Sequence, residues 1–176
     1  MKQKALFLDR DGIINIDKAY VHTQEQFEFM PGIFELLRRA QSKGYLLIIV
    51  TNQSGIGRGY YTENDFQALT TWMLKEFKKK DIRITAIYHC PHLPEENCHC
   101  RKPNPGMILH ACRDHNISPQ KSWFIGDNDS DMQAGLNAKI GTLLWMPKSK
   151  SIDPHTHHKN IKVISNLEEA QTLLNN

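Results

Sequence analysis

Phe7-Leu8-Asp9-Arg10-Asp11-Gly12 is a short apolar run that stops at two carboxylates one residue apart. Ala5 to Leu8 read as a buried strand. Residues i and i+2 of a strand share a face, so Asp9 and Asp11 project together from its C-terminal end, where open α/β sheets bind ligands. Two close carboxylates repel, and a cation between them or a proton on one relieves the repulsion. Both remedies suit a Mg2+-assisted nucleophile beside a general acid. The hexapeptide alone also fits an acidic turn after a strand, and partners elsewhere in the chain must decide.

Working outward, Val21 to Met30 carry no clean period, so Ile13 to Met30 predict a long loop over the strand's exit, a length that tends to be functional. Pro31 and Gly32 open a helix with Ile33, Leu36, Leu37 and Ala40 on one stripe, closed by Gly44. Tyr45 to Val50 are continuously apolar, as expected of a parallel strand covered on both faces. Thr51-Asn52-Gln53-Ser54-Gly55-Ile56-Gly57-Arg58-Gly59 follows, readable as a phosphate cradle or as a flexible polar turn. Thr62 and Asp65 predict a capping box on a helix buried through Phe66, Leu69, Met73 and Phe77, with Lys78 to Lys80 at its C-terminal dipole. Ile82 to His89 predict a third strand. Asn104 and Pro105 predict the N-cap and first position of the next helix, on whose apolar stripe Cys112 is a core residue. Ser122 to Ile125 predict a strand ending in Gly126-Asp127-Asn128-Asp129-Ser130-Asp131, and Ile140 to Trp145 another. Residues 147 to 160 predict a polar loop containing His155, His157 and His158; Val163-Ile164 and a helix close the chain.

Cys90-x-His92 and Cys98-x-Cys100 lie five residues apart. Three thiolates and an imidazole complete a tetrahedral Zn2+ shell with no position left for substrate water, which predicts a structural site. A Cys98–Cys100 disulfide would close a strained small ring, and His99 has no place as a fifth donor. Arg101 and Lys102 follow directly, so zinc would fix the backbone that presents them.

The chain has 176 residues, enough for one domain over 1–176 with a sizeable core. A net charge of +3 without a basic cluster argues against nucleic acid. The longest apolar run is too short to span a membrane, and the N-terminus carries no signal-peptide pattern, so a cytoplasmic monomer with no membrane partner is expected.

The strand ends offer complementary groups. Asp9 would attack phosphorus, and Asp11 would protonate the leaving oxygen and later deprotonate water. Asp9, Asp127 and the Asp11 carbonyl would hold Mg2+; Thr51 and Lys102 would hold phosphate oxygens, with Arg101 reading an adjacent group. Asp9-x-Asp11-Gly12, Thr51, Lys102 and Gly126-Asp127 resemble, in order, the four motifs of the haloacid dehalogenase superfamily of aspartate-nucleophile phosphatases. The resemblance spans roughly residues 5 to 145 and implies an α/β fold, a Rossmann-like three-layer sandwich with a mainly parallel sheet and no large cap domain. The zinc loop followed by Arg101-Lys102 resembles the branch of histidinol-phosphate and heptose-bisphosphate phosphatases, which implies a small phosphosugar substrate, with histidinol phosphate as the alternative. By that resemblance Asp17, Lys18, Ala19, Tyr20, Thr51, Asn52, Gln53, Ser54 and Arg58 line the substrate site, with Asn128 at its edge. Ile13 stands where the family usually has threonine, and Asn128 where some relatives have lysine. A non-catalytic phosphosugar-binding or zinc-loop interaction module is the reading from a different class.

Overall fold

Alternation along the first two strands sets up the layers. The computed structural model describes residues 1–148 and 158–175. In β1 (Lys4–Leu8) and β2 (Tyr45–Asn52), Leu6, Leu8, Leu47 and Ile49 face one apolar layer, while Ala5, Phe7, Ile48 and Val50 face the other. A strand buried on both faces needs apolar residues at every position, which explains the unbroken runs. α1 (Ile33–Ser42), α3 (Glu63–Lys78) and α6 (Leu167–Asn175) pack on the first face; α4 (Gly106–Asp114) and α5 (Asp129–Asn137) pack on the second. A short helix, α2 (Ser54–Gly57), follows β2.

β3 (Ala86–Cys90), β4 (Trp123–Gly126), β5 (Thr142–Trp145) and β6 (Ile161–Val163) complete a six-stranded sheet of order β3-β2-β1-β4-β5-β6. Every pairing is parallel. The chain builds outward from β1 to β3, then crosses back to place β4 on the other flank of β1. Such a reversal opens a crevice at the C-terminal ends of β1, β2 and β4. Leu8 pairs with both Ile49 and Ile125, so Asp9 emerges between the ends of β2 and β4.

Three expectations shift. The third strand begins at Ala86 rather than Ile82, because the Ile82 amide still bonds to the Phe77 carbonyl at the close of α3. Asn104 does not cap α4, which starts at Gly106 with Pro105 at the N-cap position; the Asn104 amide donates instead to the Cys98 carbonyl at 2.7 Å. The last strand is Ile161–Val163, with the Ile164 amide extending the ladder to Trp145. The capping box at Thr62 and Asp65 forms as expected. His155 and His157 lie outside the described residues. Among the described residues no helix is long and apolar enough to cross a membrane.

Candidate active site

Asp9, Lys102, Asp127 and Asp131 form the floor of the crevice, each at most 6% exposed. The Lys102 ammonium lies 2.9 Å from Asp9 Oδ1, 2.6 Å from Asp131 Oδ1 and 2.8 Å from the Val50 carbonyl. Its backbone is fixed by a reciprocal pair with Asn52: the Lys102 amide donates to Asn52 Oδ1 at 3.0 Å, and Asn52 Nδ2 donates to the Lys102 carbonyl at 3.1 Å. A buried lysine is tolerable only with such partners. Burial alone would lower its pKa, but Asp131 and Asp9 outweigh that and hold it above its usual value.

The carboxylates are in the opposite position. Burial, then the neighbouring Asp131, push Asp9 well above the usual carboxylate range, with Lys102 opposing. The same two causes raise Asp127 to about 6, with Lys148 opposing. Three ionised carboxylates against one buried ammonium leave two negative charges, and ligand oxygens of Asp9, Asp127 and Asp131 lie within 4.8 Å of one another. Asp127 Oδ2 is buried without a hydrogen bond, although the half-exposed Lys148 ammonium lies 3.3 Å away. Gly12, at φ 93°, leaves this oxygen its room: a Cβ there would lie 2.2 Å from it. An oxygen-only donor set with this excess charge fits a divalent hard cation such as Mg2+.

Asp11 points its carboxylate elsewhere. Arg10 Nη2 donates to both of its oxygens at 3.0 Å, Asn15 Nδ2 to Oδ1 and Gln53 Nε2 to Oδ2, each at 3.0 Å. The side chains of Asp9 and Asp11 both line a cavity of about 320 Å3, together with Asp17, Ala19, Tyr20, Asn52, Gln53, Ser54, Tyr61, Lys102, Asn128, Ser130 and Asp131. Thr51 is buried and not in the lining; its hydroxyl oxygen accepts from Nε2 of the lining residue Gln53 at 2.9 Å. Lys18, Arg58 and Arg101 are not in the lining: Lys18 pairs with Glu28 at 2.9 Å, Arg58 is exposed, and Arg101 Nη1 reaches the His92 carbonyl at 3.4 Å.

Most amides of the glycine-bearing loop after β2 are already bonded. The amides of Gln53, Ile56, Gly57, Arg58 and Gly59 bond to carbonyls of Cys90, Gln53, Pro91, Ser54 and Ile56. Gly55 serves close packing instead, since a Cβ there would lie 2.1 Å from the Tyr61 ring.

The predicted zinc ligands converge. The Sγ atoms of Cys90, Cys98 and Cys100 lie 3.0–3.5 Å apart, and His92 Nδ1 lies 3.4 Å from Cys90 Sγ and 3.2 Å from Cys100 Sγ. A disulfide needs about 2.05 Å, so these are free thiols. Four soft and borderline donors facing one point fit Zn2+. His99 is exposed and outside the group. Cys112 is half-buried against the second apolar layer, and burial pushes its thiol up to about 11.

Four residues with contacts here had no role in the sequence reading. Asp131 sits in the first turn of α5 and accepts from the Asp127 and Asn128 amides at 3.2 and 3.1 Å. Lys148 pairs with both Asp17 and Asp127, and supplies the positive charge that Asn128 does not; Asn128 Nδ2 donates to Asp127 Oδ1 at 2.7 Å. Arg10 and Tyr61 are the others. Ile13 is fully buried in the first apolar layer, so its side chain contributes packing rather than a hydroxyl.

Residues 9–145 match the family model described as haloacid dehalogenase-like hydrolase. The chain is 59% identical over 167 residues to D-glycero-alpha-D-manno-heptose-1,7-bisphosphate 7-phosphatase of Campylobacter jejuni, covering 94% of this chain and 96% of that one. It is 54% identical over 154 residues to D-glycero-beta-D-manno-heptose-1,7-bisphosphate 7-phosphatase of Helicobacter pylori, covering 87% and 89%. The crystal structure of D,D-heptose 1,7-bisphosphate phosphatase from B. bronchiseptica, complexed with magnesium and phosphate, superposes with a TM-score of 0.86 at 26% identity over 97% of each chain.

Proposed function

Because the chain belongs to the haloacid dehalogenase-like hydrolases, we propose that it removes the 7-phosphate of D-glycero-D-manno-heptose 1,7-bisphosphate through an aspartyl-phosphate intermediate, on the route to nucleotide-activated heptose for glycans such as lipopolysaccharide. The buried grouping of Asp9, Lys102, Asp127 and Asp131 at the β1–β4 crevice carries the chemistry. The identity of 59% to a heptose-bisphosphate phosphatase carries the substrate.

Asp9 is the nucleophile. Its Oδ1 is held by the Arg10 amide at 2.8 Å and by Lys102, which aims the carboxylate into the cavity. In the first half-reaction an Asp9 oxygen forms a bond to phosphorus as the bond to the sugar oxygen breaks, and the proton on Asp11 passes to that oxygen. In the second, water adds to phosphorus, its proton returns to Asp11, and the bond to Asp9 breaks to release phosphate. Lys102 and the Thr51 hydroxyl offset charge on the phosphoryl oxygens. Asp9 and Asp127, with Asp131 beside them and the Asp11 carbonyl as a candidate further ligand, would hold Mg2+, which would supply charge neutralisation that keeps Asp9 ionised. Cys90, His92, Cys98 and Cys100 would hold Zn2+, which would fix the loop that leads into Lys102. Asp17, Ala19, Tyr20, Asn52 and Ser54 face the sugar, with the buried Gln53 beneath them. A cytoplasmic monomer acting on a small phosphosugar, without nucleic acid or membrane partners, completes the reading; light scattering on the purified chain checks the monomer.

Phosphate release from heptose 1,7-bisphosphate and from histidinol phosphate, measured side by side with Mg2+, tests the assignment. A kcat/KM at least about 100-fold higher for the heptose substrate is expected, on the scale of a site that pairs with several substrate hydroxyls. Preference for histidinol phosphate, or inactivity on both, defeats it.

A further inference from the structure

Asp11 is gripped by Arg10 and Asn15 from its own turn, and by one group from the residue that follows β2, Gln53. Gln53 is 2% exposed, and its Nε2 donates both to Asp11 Oδ2 at 3.0 Å and to Thr51 Oγ1 at 2.9 Å. A primary amide carries two N–H donors on that nitrogen, and both are used. The orientation is fixed chemically. Asp11 Oδ2 also accepts from Arg10, so it is the nitrogen that faces it, and the amide oxygen is left to face the Tyr61 hydroxyl, which donates to it. Tyr61 is held in turn. It is 6% exposed, its ring stacks on His22 at 5.1 Å and 5°, and Gly55 lies directly beneath it. Burial pushes its hydroxyl up to about 12, which keeps it a donor at physiological pH.

We infer that Gln53, locked by Tyr61 and anchored on Thr51 Oγ1, is a positioning residue that sets the Asp11 carboxyl for proton transfer. By accepting from Gln53, Thr51 Oγ1 has its own O–H left to turn toward the phosphoryl group; its nearest acceptor is the Asn52 carbonyl at a long 3.5 Å. The amide thus ties the acid/base at the end of β1 to the phosphate-side hydroxyl at the end of β2, and acts through the former rather than as a reader of the sugar. This rests on the reading of Asp11 as acid/base.

Gln53→Met and Tyr61→Phe test it, because each keeps the side-chain volume and Tyr61→Phe keeps the ring on His22 and Gly55. With heptose bisphosphate, Gln53→Met should lower kcat about 10- to 100-fold at unchanged KM, a part of the roughly 100- to 10,000-fold supplied by general acid–base catalysis. Tyr61→Phe should lower it about 3- to 10-fold, within that same range. With p-nitrophenyl phosphate, whose leaving phenolate needs no proton, the pre-steady-state burst should stay within about threefold of wild type while turnover falls, since only the water step then needs Asp11. A raised KM with kcat retained makes Gln53 a substrate reader and overturns the inference. Equal loss of burst and turnover makes its role merely structural and overturns it too. Asp11→Ala separates the two claims: wild-type turnover of that variant removes the acid/base reading itself, whereas an inactive Asp11→Ala beside an unimpaired Gln53→Met removes the positioning inference alone.

Discussion

The floor of the crevice and its rim are built on different physics. Asp9 and Asp127 follow strand ends, Asp131 lies in the first turn of α5 and Lys102 lies on the loop before α4; all four are buried and held by one another. Around the mouth, Tyr20 is 42% exposed and Tyr60 58%, the two rings meeting edge-to-face at 4.8 Å, and Ala19 and Tyr20 take left-handed backbone conformations at φ 57° and 53°. Charges in the floor interact through a low-dielectric medium and each is worth a great deal; charges on the rim interact through water and each is worth little. Substitutions should therefore act on kcat at the floor and on KM at the rim.

Asp9→Asn is the sharpest test of the floor. An amide cannot form the aspartyl-phosphate, so kcat should fall by roughly 10,000-fold or more, as for other lost nucleophiles. It also removes one of three crowded carboxylates, so the metal-free variant should melt no lower than wild type. Retained turnover in a variant of verified sequence would refute the nucleophile.

Zinc removal probes how far the rim reaches into the floor. Cys98 Sγ accepts from the Arg101 amide at 3.3 Å, and Asn104 bonds to the Cys98 carbonyl, so the metal loop and the Lys102 backbone share supports. Stripping the metal by chelation, or Cys98→Ser, should lower the melting temperature and reduce kcat about 10-fold or more through Lys102, the scale at which outer supports of a site act. Unchanged turnover in protein shown by metal analysis to lack zinc would uncouple the two regions.

The crowded floor should also be visible in stability against pH. Asp127 is held at about 6, above the ordinary carboxylate value near 3.8, so the folded state binds its proton more tightly than the unfolded chain does. Its contribution is present below about 3.8 and is lost as pH rises through about 6. Metal-free protein should therefore lose on the order of 1–3 kcal/mol of this contribution across that window. Saturating Mg2+ should flatten the decline, because a cation favours the ionised carboxylates. Identical urea-unfolding profiles with and without Mg2+ would break the charge argument.

Much of the floor was legible because chemistry at a strand end leaves a signature: an apolar run that stops at Asp9, Thr51 or Asp127 places that residue in the crevice by sheet geometry alone. Asp131 was within reach of the same reasoning. Asn128 and Asp131 have the spacing of a capping box, as Thr62 and Asp65 do, and the box turns Asp131 back toward the Asp127 amide. Lys148 was not legible, since it meets Asp17 across 131 positions of chain and Asp127 across 21, and nothing local marks it. The glycines of residues 55–59 left two readings open for a physical reason. A cradle and a tightly packed turn both require missing Cβ atoms, and only the partners of the amides tell them apart.

The smallest expected effect lies at the two rim arginines, and it separates tethered from untethered charge. Arg101 has its amide fixed on Cys98 Sγ and its guanidinium near the His92 carbonyl, while Arg58 is exposed at the end of α2 outside the cavity lining. A tethered arginine loses less side-chain freedom when it meets the distal phosphate of a bisphosphate, and a solvent-exposed pair is worth up to about 1 kcal/mol in any case. Arg101→Ala should raise KM about 3- to 5-fold with kcat nearly unchanged, and Arg58→Ala should move KM less than about twofold, both within the range expected of exposed ion pairs. Adding salt should shrink the first difference, because the rim is screened within roughly 8 Å at physiological ionic strength. A kcat loss at Arg101 without a KM change would move that residue from the rim to the floor, and with it the boundary between what binds the sugar and what breaks the bond.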